Sequence, residues 1–446
     1  MTVTAEVVLP ATCLQQRQVL GSLGAASVAN MHFAWRLRGP LDLTALGRAL
    51  DLLVARHDAL RTALRVRHDE VEQHISPRCV LRPDLVGASR LASRGRRAAE
   101  RLFRSHCREP FDLAAAPLAR VALARLGVAD HLLAWTLHHA ICDGWSLQLL
   151  RQDFRAAYDA AVTGREPTWR DVAIQLGDYA AWERDLVDEE AEAHWRARLR
   201  IRPAALLLLQ RDTQATGAGH VQEQLPLRPV SPAVVRALGE VARAHRATLS
   251  VLLTAAFAAL VAPYAGGPSV ALGITDANRD RAELRHVVGC CLDLVPIDVV
   301  VSGEPSFASV LERTRNEVFS AYAHRLPVGR LGDADWPQAP AWFDVLVNFT
   351  PAHPTARATT PDLGDLTVQP AFGPSPRRHA ARYNWSGWRA LGPILSQDGR
   401  GGLTGWLLYN RRLVTAELAH RLVGRFDRIL RAIAIRPDQP LRSLPG

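Results

Sequence analysis

His138 and His139 stand side by side, Asp143 follows four residues after the second, and Gly144 comes next. An unperturbed imidazole titrates near neutrality, so a histidine can serve as a general base or as a hydrogen-bonding electrostatic group. For attack of an amine or a hydroxyl on an acyl carbon, one imidazole beside the nucleophile suffices. Asp143 is in range to fix the turn, and Gly144 permits backbone conformations closed to other residues. The residues alone leave three readings open: acyl transfer, a polar turn with structural histidines, and a metal site of His138, His139 and Asp143. Side chains of adjacent residues in extended chain point apart, and no partner with ligand spacing lies nearby, so no metal is expected. A serine hydrolase is excluded, because there is no Gly-x-Ser-x-Gly elbow.

The elements that must position these groups are short and apolar. Residues 132–137 suit a buried strand, and Ser146 with Leu147, Leu150, Phe154, Ala157 and Ala161 predicts a capped amphipathic helix ending at Gly164. The histidines therefore sit on a turn at the edge of a rigid scaffold, where polar groups can reach a ligand. Upstream, the pattern predicts a helix over 14–23, an alternating strand over 30–38, a helix from Thr44 to about Leu64, a helix over 97–106 and a strand over 119–126. Charged, Trp-bearing helices are expected over 169–199 and a loop over 212–220. Downstream come helices 232–246, 247–262, 305–323 and 415–435, and strands 269–274, 287–301, 343–349 and 403–409. Strands interleaved with helices predict an α/β fold. The punctuation at Gly164–Pro167 divides the chain into lobes 1–172 and 173–446, two α/β units that could be paralogous halves.

Composition narrows the partners. A chain with 48% hydrophobic and 22% charged residues is globular. All 54 Lys+Arg positions are arginine, which removes Walker-type phosphate loops and Schiff-base lysines. The net charge of +10 reads as a solvated basic surface, or more sharply as a face for an acidic protein or a phosphate-bearing tether. The arginines are dispersed, without zinc-finger spacing or an aromatic-basic pattern, so no nucleic-acid partner is expected. Six scattered cysteines with no Cys-x-x-Cys pair predict a reducing cytoplasm. The N-terminus carries no signal-peptide pattern, and the uncharged run 247–264 reads as a buried helix, so no membrane is expected.

The stretch 138–144 resembles the His-His-x-x-x-Asp-Gly signature of nonribosomal peptide synthetase condensation domains, within the chloramphenicol-acetyltransferase-like superfamily of acyltransferases. Gln15 to Leu20, after Pro10-Ala11-Thr12, resembles the first family motif, and Arg56-His57-Asp58-Ala59-Leu60-Arg61-Thr62 resembles the second. Pro110-Phe111-Asp112-Leu113 with Pro117-Leu118-Ala119-Arg120 is similar to the family's Pro-Phe-Asp-Leu segment. Asp178-Tyr179-Ala180-Ala181-Trp182 matches the fourth motif, and Asn348-Phe349 resembles part of its Phe-Asn-Tyr strand. The resemblance spans nearly the whole chain.

It implies two chloramphenicol-acetyltransferase-like lobes in a V-shaped pseudo-dimer, with an inter-lobe tunnel in which donor and acceptor meet at the second histidine, here His139. The donor would be an acyl or aminoacyl group on the phosphopantetheine arm of an acyl or peptidyl carrier protein. The acceptor would be a small-molecule amine or alcohol, or a second carrier, and no bound cofactor is implied. His139 would orient or deprotonate the nucleophile, with His138, Asp143, Gly144 and Trp145 supporting the motif. Asp143 would pair with an arginine, for which Arg61 and Arg279 are the candidates, and Gly144 would leave room for the tether. Cys142 reads as a packing residue, since the family forms no enzyme-bound acyl intermediate.

The fifth motif departs from the family pattern, reading Gly289-Cys290-Cys291-Leu292-Asp293. Asp293 stands where asparagine is expected, and Asp298 where a basic residue is common. Asp293, Cys291 and Asn348 are the substrate-tunnel candidates, and a carboxylate there could favour a cationic substrate. The sixth motif, His324-Arg325-Leu326-Pro327-Val328, is altered and one residue short. The chain runs from a methionine to a point close to the end of the family's domain, without an adenylation segment or a carrier-protein serine motif. It is therefore expected to be a free-standing, monomeric condensation enzyme meeting its carrier in trans, the positive charge speeding that encounter. Amide formation leads. Ester formation with a hydroxyl acceptor and a non-catalytic carrier-recruiting module are the alternatives, and Asp143-Gly144-Trp145-Ser146-Leu147 resembles condensation domains better than epimerisation domains.

Overall fold

The computed structural model describes residues 5–20, 29–86, 103, 105–199, 206–207, 222–327, 330, 342–351, 363–371 and 390–444. In chain order the elements begin β1 (Val7–Pro10), α1 (Cys13–Leu20), β2 (Asn30–Arg38), α2 (Leu43–Arg56), β3 (Thr62–Arg67), β4 (Glu70–Ile75), β5 (Pro83–Val86), β6 (Ala119–Gly127), β7 (Asp130–His138), α3 (Gly144–Thr163) and α4 (Leu176–Asp185). They continue α5 (Glu189–Leu199), β8 (Gln222–Pro226), α6 (Pro232–Ala244), α7 (Leu249–Val261), β9 (Ser269–Asp276), β10 (Asp293–Val300), α8 (Phe307–Ala323), β11 (Val345–Thr350), β12 (Thr367–Pro370), β13 (Leu391–Gln397), β14 (Leu403–Asn410) and α9 (Ala416–Ile433). The fold is mixed α/β, as the alternating patterns predict.

Two compact units form. The first holds Met1–Leu186, Ala277–Leu292 and Ala358–Trp385, and the second Val187–Asp276, Asp293–Arg357 and Ser386–Gly446. This differs from a single cut at 172, because two later segments return to the first unit. β12 pairs antiparallel with β2, and Arg279 is anchored on Asp143. Both attachments are long-range and carry no local signal.

The first unit has a five-stranded sheet, β12-β2-β7-β6-β5, and a three-stranded sheet, β1-β4-β3. β2 and β7 run antiparallel with Asn30 opposite His138 and Phe33 opposite Trp135. Alternation sends Phe33, Trp35 and Leu37, with Leu133, Trp135 and Leu137, to one face. There they pack with Leu46, Leu50 and Leu53 of α2 and Leu150 and Phe154 of α3. Trp135 is fully buried, stacked on Phe33 at 5.8 Å between ring centroids and edge-on to Phe154 at 5.6 Å. Truncating such a side chain to alanine costs about 3–5 kcal/mol, so this layer contributes strongly to the stability of the strand that carries the His138–His139 turn.

α2 stops at Arg56, well before the expected Leu64. The His57 N–H closes on the Leu53 carbonyl, a short turn spans Asp58–Arg61, and Thr62–Arg67 becomes a strand paired with β4 through a turn whose His68 and Asp69 have positive φ. Leu60 and Leu64 are buried as a helical face would require, but they are buried by turn and strand. Most of the helix expected over 97–106, the loop over 212–220 and Val328 lie outside the described residues.

The second unit has a six-stranded sheet, β10-β9-β11-β13-β14-β8, parallel where β11 meets β9 and β13 and antiparallel elsewhere. α7 is buried on almost every side, while α8 and α9 each bury one stripe. Gly273 lies under the Phe343 ring, where an added Cβ would come within 2.0 Å, so only glycine fits. Among the described residues no single helix is long and apolar enough to cross a membrane; α6 and the helix continuing α7 to Tyr264 meet such a test only as a pair bent by 97°.

Candidate active site

β7 delivers His138 in extended conformation, and the chain then tightens into a single 3₁₀ turn, His139–Ile141. The turn is fixed at both ends: the His139 N–H donates to Ala29 O (2.7 Å) and Cys142 N–H to His139 O (3.3 Å). His138 Nδ1 accepts from Ala140 N–H at 3.2 Å, so this ring shapes the turn. Burial and the neighbouring His139 push the His138 imidazole down to about 4. It is therefore a neutral acceptor at physiological pH.

His139 is buried, with Nδ1 3.7 Å from Cys290 Sγ. Burial lowers its pKa, against hydrogen bonds to the backbone of His139 and Cys142 and attraction to Asp143. A neutral imidazole held on a rigid turn can accept a proton from a nucleophile.

Asp143 caps α3 and is itself saturated. Oδ1 lies 2.7 Å from both the N–H and Oγ of Ser146; Oδ2 accepts from Arg279 Nη2 at 2.9 Å and from Cys291 N–H at 3.1 Å. The Asp143 and Arg279 side chains are each only 2% exposed. Burial opposes the Arg279 charge, but the Asp143 carboxylate outweighs it, and the guanidinium pKa is raised. Arg279 Nη1 also donates to the carbonyls of Leu284 (2.6 Å) and Val287 (2.7 Å), and Ser146 Oγ accepts from Gly289 N–H at 3.0 Å. These bonds tie the Leu284 and Val287 carbonyls and the Gly289 and Cys291 N–H groups to the motif, and the strand expected over 287–301 begins only at Asp293. Gly289 packs on Leu176, which a Cβ would approach to 2.8 Å.

Of the two arginine candidates, Arg279 holds Asp143, whereas Arg61 pairs with Asp58 at 2.5 Å and donates to Ser76 O. Gly144 is exposed with no positive φ, and a Cβ there would meet nothing within 4 Å, so neither backbone conformation nor crowding within the described residues demands a glycine. Trp145 Nε1 donates to Arg285 O at 3.0 Å and ties the helix start to the same returning segment. Cys142 is fully buried and its thiol pKa is raised well above the usual value, first by burial. Cys291 binds Asp143 through its backbone; its side chain packs with Leu176, Tyr179, Leu284 and Val287, and burial pushes its thiol up to about 12.

Asp293 and Asn348 belong to the second unit. Asp293 opens β10, where its Oδ1 accepts the Leu294 N–H; Asn348 is half-buried on β11, in register with Ile394. Asp298 lies further along β10, opposite Ala271 of β9. Among the described residues no group of three or more His, Cys, Asp or Glu could hold a metal ion.

Three contributors escaped the sequence reading as site residues: Ser146, Gln15 and Cys290. Ser146 was legible only as a helix start. Thr12 and Gln15 satisfy each other's N–H groups at 2.9 and 3.1 Å, a reciprocal cap visible in the Thr-x-x-Gln spacing. Gln15 Nε2 then donates to Ala140 O at 2.9 Å, a contact 125 residues away that no spacing announces.

The model of the Condensation domain family matches residues 5–445. The chain belongs to this family. The dimodular nonribosomal peptide synthase of Bacillus subtilis (strain 168) is 29% identical over 435 residues, covering 94% of this chain and 18% of that protein. The chain thus spans a small part of the length of such relatives. Among solved structures, a chain of the complex of the X-domain and OxyB from teicoplanin biosynthesis is 25% identical, with a TM-score of 0.79 and coverage of 99% of this chain and 97% of that one. The first condensation domain of the calcium-dependent antibiotic synthetase, in complex with a substrate analogue, is 21% identical at a TM-score of 0.74, covering 98% of this chain and 99% of that one, and shows the shared fold. Condensation domains are acyl- or peptidyl-transferring enzymes that work with carrier domains.

Proposed function

We propose that this condensation domain transfers an acyl or aminoacyl group from the phosphopantetheine thioester of a carrier protein to an amine, forming an amide. The observation that carries this reading is the neutral, buried His139 on a turn followed directly by the buried Asp143–Arg279 pair. The acceptor nitrogen bonds to the acyl carbon as the C–S bond breaks; its proton passes to His139 and then to the departing thiolate. Holding both reactants against one fixed imidazole supplies the remaining advantage through proximity. The free thiols of all six cysteines fit a reducing cytoplasm, and the +10 charge favours an acidic carrier.

The test is mass spectrometry of products formed from a loaded carrier and a panel of amine and alcohol acceptors. Amide product that depends on the enzyme is the expected result; enzyme-dependent ester alone would replace it with the hydroxyl reading. A second reading, a module that recruits another protein without turnover, is favoured by the likeness to a chain of the complex of the X-domain and OxyB. It predicts stable complex formation with no product from any loaded carrier.

A further inference from the structure

α1 borders the His139 turn twice. Gln15 fixes the Ala140 carbonyl, and one turn later Gln18 reaches the other neighbour of His139: its Nε2 lies 3.8 Å from Cys290 Sγ, which in turn is 3.7 Å from His139 Nδ1. Gln18 Oε1 is buried and has no hydrogen-bond partner among the described residues. Native structures rarely leave a buried amide oxygen unpaired, and such an atom calls for a specific explanation. Cys290 does not supply one, since its thiol meets the nitrogen end of the carboxamide and not the oxygen.

We infer that Gln18 is a substrate-contacting residue that selects an amine acceptor over an alcohol, by accepting the second N–H of the amine while the first faces His139. This rests on the acyl-transfer reading of the site and deepens it. A primary amine brings two N–H donors, one for the imidazole and one for Gln18. An alcohol brings a single O–H; once that proton faces His139, the Gln18 oxygen stays buried and unpaired. Sites built around a polar contact reject the analogue that lacks it for this reason. One neutral hydrogen bond corresponds to about tenfold in this preference.

The experiment offers phenethylamine and phenethyl alcohol together, in equal amounts, with hexanoyl-N-acetylcysteamine as the thioester, and reads the amide-to-ester ratio by mass spectrometry. The His139→Ala variant supplies the uncatalysed blank. Gln18→Leu should lower the ratio about tenfold, with the loss on the amide product, and Gln18→Met should do the same if the leucine variant fails to fold. An unchanged ratio in a folded variant overturns the assignment. Calorimetric binding of the same two acceptors separates the two claims. Amine preference that disappears in Gln18→Leu upholds Gln18 even if no product forms, in which case it is the acyl-transfer reading that falls.

Discussion

Removing Arg279, Asp143 or both asks how firmly the His139 turn is held. Two unit charges about 4 Å apart at an effective dielectric of about 20 attract by about 4 kcal/mol, and desolvation takes back a large part of that. Removing one partner costs more than the contacts it makes, because the survivor is left buried and charged. Arg279 would keep only carbonyl and hydroxyl acceptors, and Asp143 would keep Ser146 and the Cys291 N–H. Each single alanine variant should cost about 3–5 kcal/mol. The double variant should cost less than the sum, with a coupling of about 2–3 kcal/mol. With each side chain 2% exposed, added salt should leave the coupling nearly intact. Urea unfolding followed by tryptophan fluorescence measures all four proteins at a common slope. Single-variant costs that add to within about 0.5 kcal/mol would refute the claim that this pair acts as one unit.

His138 has a folded pKa of about 4 against an ordinary value of 6.5, so the unfolded chain binds more protons between those limits. Its contribution is complete above pH 6.5 and is lost as pH falls toward 4, amounting to about 3 kcal/mol; His138→Asn, which keeps an acceptor for Ala140 N–H, should flatten that acid limb, and an unchanged limb would contradict it. Gln15→Leu, which removes the donor to the Ala140 carbonyl together with the acceptor for Thr12 N–H and the contact to Gln73, should reduce turnover by at least about tenfold while the far-ultraviolet dichroism is preserved; undiminished turnover would show that the turn holds itself. In the native protein at pH 8, iodoacetamide should label Cys13 and Cys79, which are partly exposed, and spare Cys142, Cys290 and Cys291, whose burial raises their thiols; early labelling at Cys290 by peptide mapping would contradict the packing described.

Local patterns carried the strand–turn–helix around His139 well, because an apolar run, a polar helix start at Ser146 and a spaced apolar stripe are each local signals, although the cap itself is Asp143 and the helix begins at Gly144. The same reasoning failed at Leu60 and Leu64, where helix-like spacing continued after the His57 N–H had closed α2. The contacts that lock the site join residues more than a hundred positions apart: Asp143 with Arg279, Ser146 with Gly289 and Gln15 with Ala140. No periodicity encodes such pairs. Arg61 and Arg279 were indistinguishable as sequence, and only the return of 277–292 to the first unit separates them. Cys290 read as a motif departure, while its place against His139 depended on that same return.

The most direct measurement is the rate at which His139→Ala deacylates a loaded carrier in the presence of an amine acceptor, compared with the unaltered chain. A general base of this kind contributes about 10²–10⁴-fold, so the variant should lose at least about 10²-fold in amide formation while unfolding at the same urea concentration. Full turnover by a folded His139→Ala protein would contradict the central claim that this imidazole serves the reacting groups.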